Sequence, residues 1–325
     1  MQNGPDHAAG TSGKFPQPDD KSSNKVTSHM LPIIGIVLVI AGILGGFLME
    51  HGNLLVLMQP GELVIIGGAA IGTVLIANPL GTLIRLAKAF IGVFKGSRYT
   101  EAFYLNNLAM LYDIFQYARK AGLAKLEGDV DKPKESDLFK KYPKFLADHH
   151  ALDFVCDTFR TSISGGVEPF DLDQLMEIDM DVSHSEESQY VSALSTVADA
   201  LPGLGIVAAV LGIVVTMGAL GGPPEELGKK VAAALVGTFI GILLCYGFVG
   251  PLATNLANLN AGAGVYFQFL RTALIASLKG AAPLTAVEFG RRAIPPSVRP
   301  SFERMETTCR SGGATAPSEE IAKAA

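Results

Sequence analysis

ALPGLGIVAAVLGIVVTMGALGGPP, residues 200–224, contains no charged side chain. Roughly 20 apolar residues, rising about 1.5 Å each as a helix, cross the hydrocarbon core of a bilayer. This run is long enough. Three others match it: Leu31–Met49, Leu63–Ile84 and the first part of Val231–Leu270. In lipid every backbone polar group must be satisfied within the chain, so uncharged runs of this length read as helices. The sequence therefore predicts an all-α membrane protein. It should have four transmembrane helices, a large helical cytoplasmic loop and a cytoplasmic C-terminal tail.

The four runs also lack any carboxylate, and proteins that move protons normally carry an ionisable residue inside a span. The polar content of the runs is limited to residues such as Thr73, Thr216 and Thr238, with Pro202 and Pro251. If this chain takes part in conduction, another chain should supply the titrating group.

Charge sets the orientation. The segment Glu50–Glu62 has no Lys or Arg, whereas Arg85, Lys88, Lys95 and Arg98 follow the second run. By the positive-inside rule that side is cytoplasmic, and so are both termini. Arg271, Lys279, Arg291, Arg292, Arg299 and Arg304 place the tail on the same side. The run from Val231 is too long for one span, since it would measure about 60 Å as a helix. A fifth span would put the basic tail outside. The fourth span is expected to end near Asn255, with its helix continuing into the cytoplasm along Phe267, Leu270, Leu274 and Leu278. The resulting organisation is a disordered polar leader (1–30), spans one and two (31–84), a cytoplasmic helical region (85–199), spans three and four (200–256) and a cytoplasmic helix and tail (257–325). Met30 abuts the first span as a start codon would.

Within 85–199, Leu105, Leu108, Tyr112 and Phe115 recur at helical spacing, and Gly122 is placed to end that helix. Residues 148–162 and 171–198 also read as helical. Residues 225–230 read as a short loop between spans three and four. The net charge of −5 and the absence of a basic stripe speak against nucleic-acid binding. Cys156, Cys245 and Cys309 share no metal-ligand spacing and read as free thiols. The adjacent His149 and His150 diverge by about 100° on a helix and cannot chelate one ion together. The spans contain no catalytic or metal-binding constellation, so neither an enzyme nor a simple transporter is indicated.

Small residues recur in the spans. Gly68 and Gly72, and Gly237 and Gly241, form GxxxG pairs, and Gly42, Gly45 and Gly46 crowd the first span. Such spacing lets helix backbones approach closely, within a subunit or between subunits. Pro202 and Pro251 stand near the cytoplasmic ends of spans three and four. Two kinks at one depth would make a hinge, although Pro202 would also suit the first turn of a helix.

Several stretches carry a family resemblance. They include QPGELVIIG from Gln59, SRYT from Ser97, PKES from Pro133, LPGLGIVAAV from Leu201, VGTFIGILL from Val236, PLAT from Pro251, VEFGR from Val287 and RPSF from Arg299. From Met30 to about Phe302 the chain resembles MotA, the A-subunit family of the bacterial flagellar motor stator. The resemblance implies a torque-generating subunit of the inner membrane that couples proton flow to rotor rotation. It implies a homo-oligomer, a pentamer around a dimer of a MotB-like, peptidoglycan-anchored partner, all embedded in membrane lipid. The proton-binding aspartate would be the partner's. There would be no cofactor beyond the coupling proton. Arg119 and Glu127 match the family's two charges that engage the rotor protein FliG. Pro202 and Pro251 match its functional prolines, and Thr238 its threonine near the ion path. Ala209 stands where sodium-driven relatives carry a second threonine, which favours protons. Taken without the resemblance, Arg119 and Glu127 read as a solvated helix face. An ExbB- or TolQ-like energiser of outer-membrane transport is the alternative, but those chains are shorter and differ in span count and loop order.

Overall fold

The computed structural model describes residues 24–94, 96–218 and 220–311. In chain order the helices are α1 (Asn24–Met49), α2 (Leu54–Leu57), α3 (Pro60–Ala77), α4 (Leu80–Val93), α5 (Glu101–Ala121), α6 (Leu123–Asp131), α7 (Asp137–Lys140) and α8 (Pro143–Leu146). Then follow α9 (His149–Gly165), α10 (Pro169–Met217), α11 (Pro224–Leu243), a π-helical segment (Leu244–Val249), α12 (Gly250–Leu278), α13 (Pro283–Ala293) and α14 (Phe302–Arg310). No strand forms among the described residues. Four helical stretches are long and apolar enough to cross a membrane, the all-helical architecture expected from the uncharged runs.

Two very long helices organise the molecule. Helix α10 has 49 residues and is about 74 Å long. Residues 224–278 run as one further helical column through the π segment. Each column is apolar at one end and enters a polar bundle at the other. The helix expected over 171–198 and the third span are thus a single element, and Pro202 lies inside it rather than in its first turn. The continuation of the fourth span beyond Asn255 is also present. Residues 225–230, expected as a loop, form the opening turns of α11, with Pro224 in the first helical position.

Three further boundaries differ from the expectation. The charge-free stretch 63–84 is two helices, because Pro79 holds an extended conformation (φ −67°, ψ 153°) that stops α3 and starts α4. Most of the predicted disordered leader lies outside the described residues, but α1 already begins at Asn24. Glu62, taken as the end of a loop, belongs to the first turn of α3.

The main hydrophobic core lies in the polar bundle, where α5, α6, α9, α12, α13, α14 and the start of α10 meet. Tyr104, Leu108, Ile114, Phe159, Tyr266, Phe269 and Leu274 are each no more than 1% exposed. The buried Tyr266 hydroxyl donates to Asn107 Oδ1 at 2.8 Å, which satisfies both groups. Arg271 on α12 donates to Asp173 at 2.6 Å and pairs with Glu177 at 3.2 Å, tying the two columns together. The three cysteines are free and buried, and burial pushes the Cys156 and Cys309 thiols up to about 12. Such thiols are poor nucleophiles.

In the apolar half, α10 crosses α11 at glycines. A Cβ on Gly241 would lie 2.6 Å from the Leu201 carbonyl oxygen, and one on Gly205 would lie 2.9 Å from that of Gly237. The Gly237–Gly241 pair therefore serves packing within this chain. Gly42, Gly45, Gly46, Gly68 and Gly72 have open space in the Cβ direction. Helix α1 stands nearly alone, with none of residues 30–49 buried, and it approaches the column beside Gly247 through Val39.

Gly241→Val should therefore destabilise the isolated subunit by about 1–3 kcal/mol, the usual cost of overpacking. Gly68→Val should leave it unchanged. Thermal unfolding of the detergent-solubilised subunit measures both.

Candidate functional site

At the rim of the polar bundle, α5 and α6 meet at a corner of one residue. Gly122 takes φ 89°, ψ 148°, a conformation open to glycine, and its N–H donates to the Ala118 carbonyl at 2.9 Å. Arg119 lies in the last turn of α5 and Glu127 in the middle of α6, so they flank this corner. Both are exposed, and neither forms an ion pair among the described residues. The corner beneath them is well packed. Phe115, Leu126 and Val130 are at most 2% exposed. Arg160 on α9 donates to Asp131 at 3.0 Å and also to the Val130 carbonyl. The arrangement presents two opposite, solvated charges on a fixed frame, with Lys120 beside them.

The second site lies where the columns leave the apolar region. Pro251 follows the π segment, in which the Gly250 N–H reaches back to the Cys245 carbonyl. Proline has no N–H, and its ring would press on the carbonyl one turn earlier. The widened turn accommodates this, and such bulges mark kinks in long helices. Pro251 is exposed and lines an open groove of about 710 Å³ with Asp199, Tyr246, Thr254, Asn255 and Asn258. Pro202, half-buried, lies three residues beyond Asp199 on the opposing helix. The structure thus groups the two prolines near one groove and adds an acid, Asp199, that sequence reasoning passed over. Its signal was its place as the last charge before the uncharged run.

The third site lies deeper, at the helix crossing. Thr238 is half-buried and follows Gly237 directly. Ala209 is 6% exposed and follows Ala208, whose methyl packs against Gly237. The two residues are thus neighbours of the contact that joins α10 to α11. Glu62 of α3 reaches the same contact. It is 9% exposed, and its Oε2 has no hydrogen-bond partner. A Cβ on Gly237 would fall 2.5 Å from Oε2, and one on Gly212 would fall 3.2 Å from Oε1. The missing side chains of these two glycines form the slot that holds the carboxyl. The uncharged run begins at Leu63, but the helix that contains it begins at Pro60 and so takes in this acid. The signal was Pro60, since proline at a first helical position places the residue two further on inside the helix.

Four helical stretches long and apolar enough to cross a membrane, packed through small residues, describe an all-helical protein of membrane-protein class. The comparisons agree. Residues 33–122 match the motility protein A N-terminal family, and residues 147–262 match the MotA/TolQ/ExbB proton channel family. The chain is 42% identical over 281 residues to motility protein A of Escherichia coli (strain K12), covering 86% of this chain and 95% of that one. It is 33% identical to the chemotaxis protein LafT of Vibrio parahaemolyticus, covering 85% and 97%. The fold superposes on the C. jejuni MotAB structure with a TM-score of 0.69 at 19% identity, covering 84% of this chain and 98% of that one. The chain belongs to the motility protein A family.

The exposed corner yields a test of its charges. Exposed pairs are worth about 0.2–1 kcal/mol each, so one reversal should be mild. If the corner docks on opposed charges of a partner, Arg119→Glu combined with Glu127→Lys should impair swimming far more than either alone. Opposing reversals on a docking partner should restore part of it, as coupled charges require. Swimming speed in a complemented strain reads the effect, and failure of every opposed charge to rescue would reduce the pair to solvated side chains.

Proposed function

We propose that this chain is the torque-generating stator subunit of a flagellar motor, coupling inward proton flow to rotation of the rotor. One observation carries the reading. Two helical columns run unbroken from the apolar half into the bundle that presents Arg119 and Glu127. A change of packing at the crossing is therefore a movement of the rim. The relatives' names and the match over residues 33–122 favour this reading over an ExbB- or TolQ-like energiser, which would share the match over 147–262.

In this reading the chain sits in the inner membrane with both termini and the polar bundle in the cytoplasm. It assembles as a pentamer around a dimer of a MotB-like partner anchored to peptidoglycan. A unit charge crossing the membrane releases about 2.3 kcal/mol per 100 mV. The partner's carboxylate alternates between charged and neutral forms, and only the neutral form is cheap against the apolar face of α10 and α11. Each exchange shifts the columns relative to the partner. The π segment before Pro251 and the proline inside α10 give each column a weak point near the groove, where it can bend. Arg119 and Glu127 then meet charges on FliG. Contacts of that strength form and break fast enough for stepping.

Ala209 offers no oxygen to a dehydrated sodium ion, and Thr238 offers one hydroxyl. With a MotB-like partner, the chain should restore swimming to a strain lacking its own A subunit. A protonophore should abolish that swimming, and external sodium should not affect it. Sodium-dependent speed at constant proton-motive force would overturn the assignment of the ion, and no swimming at all would overturn the assignment of the function.

A further inference from the structure

The partner's carboxylate accounts for proton binding against α10 and α11, but it leaves Glu62 without a role. A carboxyl more than nine-tenths buried with an unpartnered oxygen is costly when charged. An apolar side chain would fill the slot between Gly212 and Gly237 without that cost. An opposing term acts on the same group. Glu62 lies in the first turn of α3, where the positive end of the helix favours a carboxylate. Burial and helix end thus pull the group in opposite directions, which suits a carboxyl that exchanges protons.

Among the described residues no counter-charge is paired with Glu62. Helix α2 has no charged residue, and α3 has no other. On α11 the charges are Glu225, Glu226, Lys229 and Lys230, and Lys229 is paired with Glu225 at 3.0 Å. On α10 the nearest charge toward the bundle is Asp199, about 20 Å along the helix from Gly212. Arg85 and Lys88 on α4 lie beyond the opposite end of α3. No ion pair joins any of these to Glu62. Glu62 sits at the end of α3 beside the exposed Gly61, and its Oε2 lies against Gly237, adjacent to Thr238.

We propose that Glu62 is a proton-carrying group of this subunit, taking protons at the outer end of the span bundle and passing them inward past Thr238. The inference rests on the proton-driven reading above. A hydronium ion at the outer face gives its proton to Oε2 and leaves as water. The resulting carboxylic acid gives the proton, through a water, to the partner's carboxylate, and Glu62 returns to its charged form. No other co-reactant is needed.

The test uses the full chain with its partner in cells. Rotation speed is measured against external pH at constant total proton-motive force, alongside membrane level and copurification with the partner. Glu62→Gln keeps the shape and removes the proton-carrying group. It should assemble normally, rotate more slowly and lose the response to external pH. Glu62→Asp should retain rotation with a shifted pH response. Overturning results are a Glu62→Gln complex with unchanged speed and profile, or one slowed with an unchanged profile, which is the mark of a packing role. Where Glu62→Gln fails to accumulate, an unshifted profile for Glu62→Asp overturns the proposal. Failure of the underlying proton reading is separate, because it appears in the unmodified chain as sodium dependence or absence of rotation.

Discussion

The structure depends on how closely α10 and α11 can approach. Leu201, Gly205 and Ala208 on one helix meet Gly237 and Gly241 on the other at distances that leave no room for a Cβ. In lipid there is little hydrophobic drive between helices, so association relies on van der Waals contact and on backbones that come near. This crossing provides both. It also fixes the height at which α3 docks, because Glu62 enters the gap that the same glycines create. A side chain at Gly237 would change two contacts at once.

From the crossing the two columns carry position outward. Each helix is longer than a bilayer is thick, so its far end must lie in water, where it becomes part of a bundle with its own core. The Arg271 clamp and the Tyr266–Asn107 hydrogen bond hold the columns there. The two columns are thus held side by side within the bundle. The irregularities of both columns fall near the groove where they leave the apolar region. There α10 contains Pro202, and the other column widens into a π turn before Pro251. A packed bundle and a tight crossing are thus joined by two columns whose irregular turns fall between them.

The chain leaves much of its apolar surface uncovered. Helix α1 buries none of residues 30–49, and the Gly68–Gly72 face of α3 meets nothing. The GxxxG spacing is the same on α3 and α11, yet only the second is used inside the chain. Sequence spacing identifies a helix that permits close approach, but it does not identify the helix that approaches.

The sequence by itself determined the four apolar stretches, the all-helical class, the polar region between them and the helix ended by Gly122. These follow from local rules: hydrocarbon thickness, charge exclusion and the conformational freedom of glycine. Family resemblance, carried by the same residues, singled out Arg119, Glu127, Pro202, Pro251, Thr238 and Ala209 for a role. The tertiary structure alone decided that spans continue into the bundle, that Pro202 lies inside a helix, that 225–230 is helical and that Asp199 shares a groove with Pro251. It alone placed Glu62 in a slot between glycines 150 and 175 positions further along the chain. The reason is physical. Whether a carboxyl at the edge of an apolar run faces water or a buried gap depends on the neighbouring helices, and no local pattern records where those helices lack a Cβ.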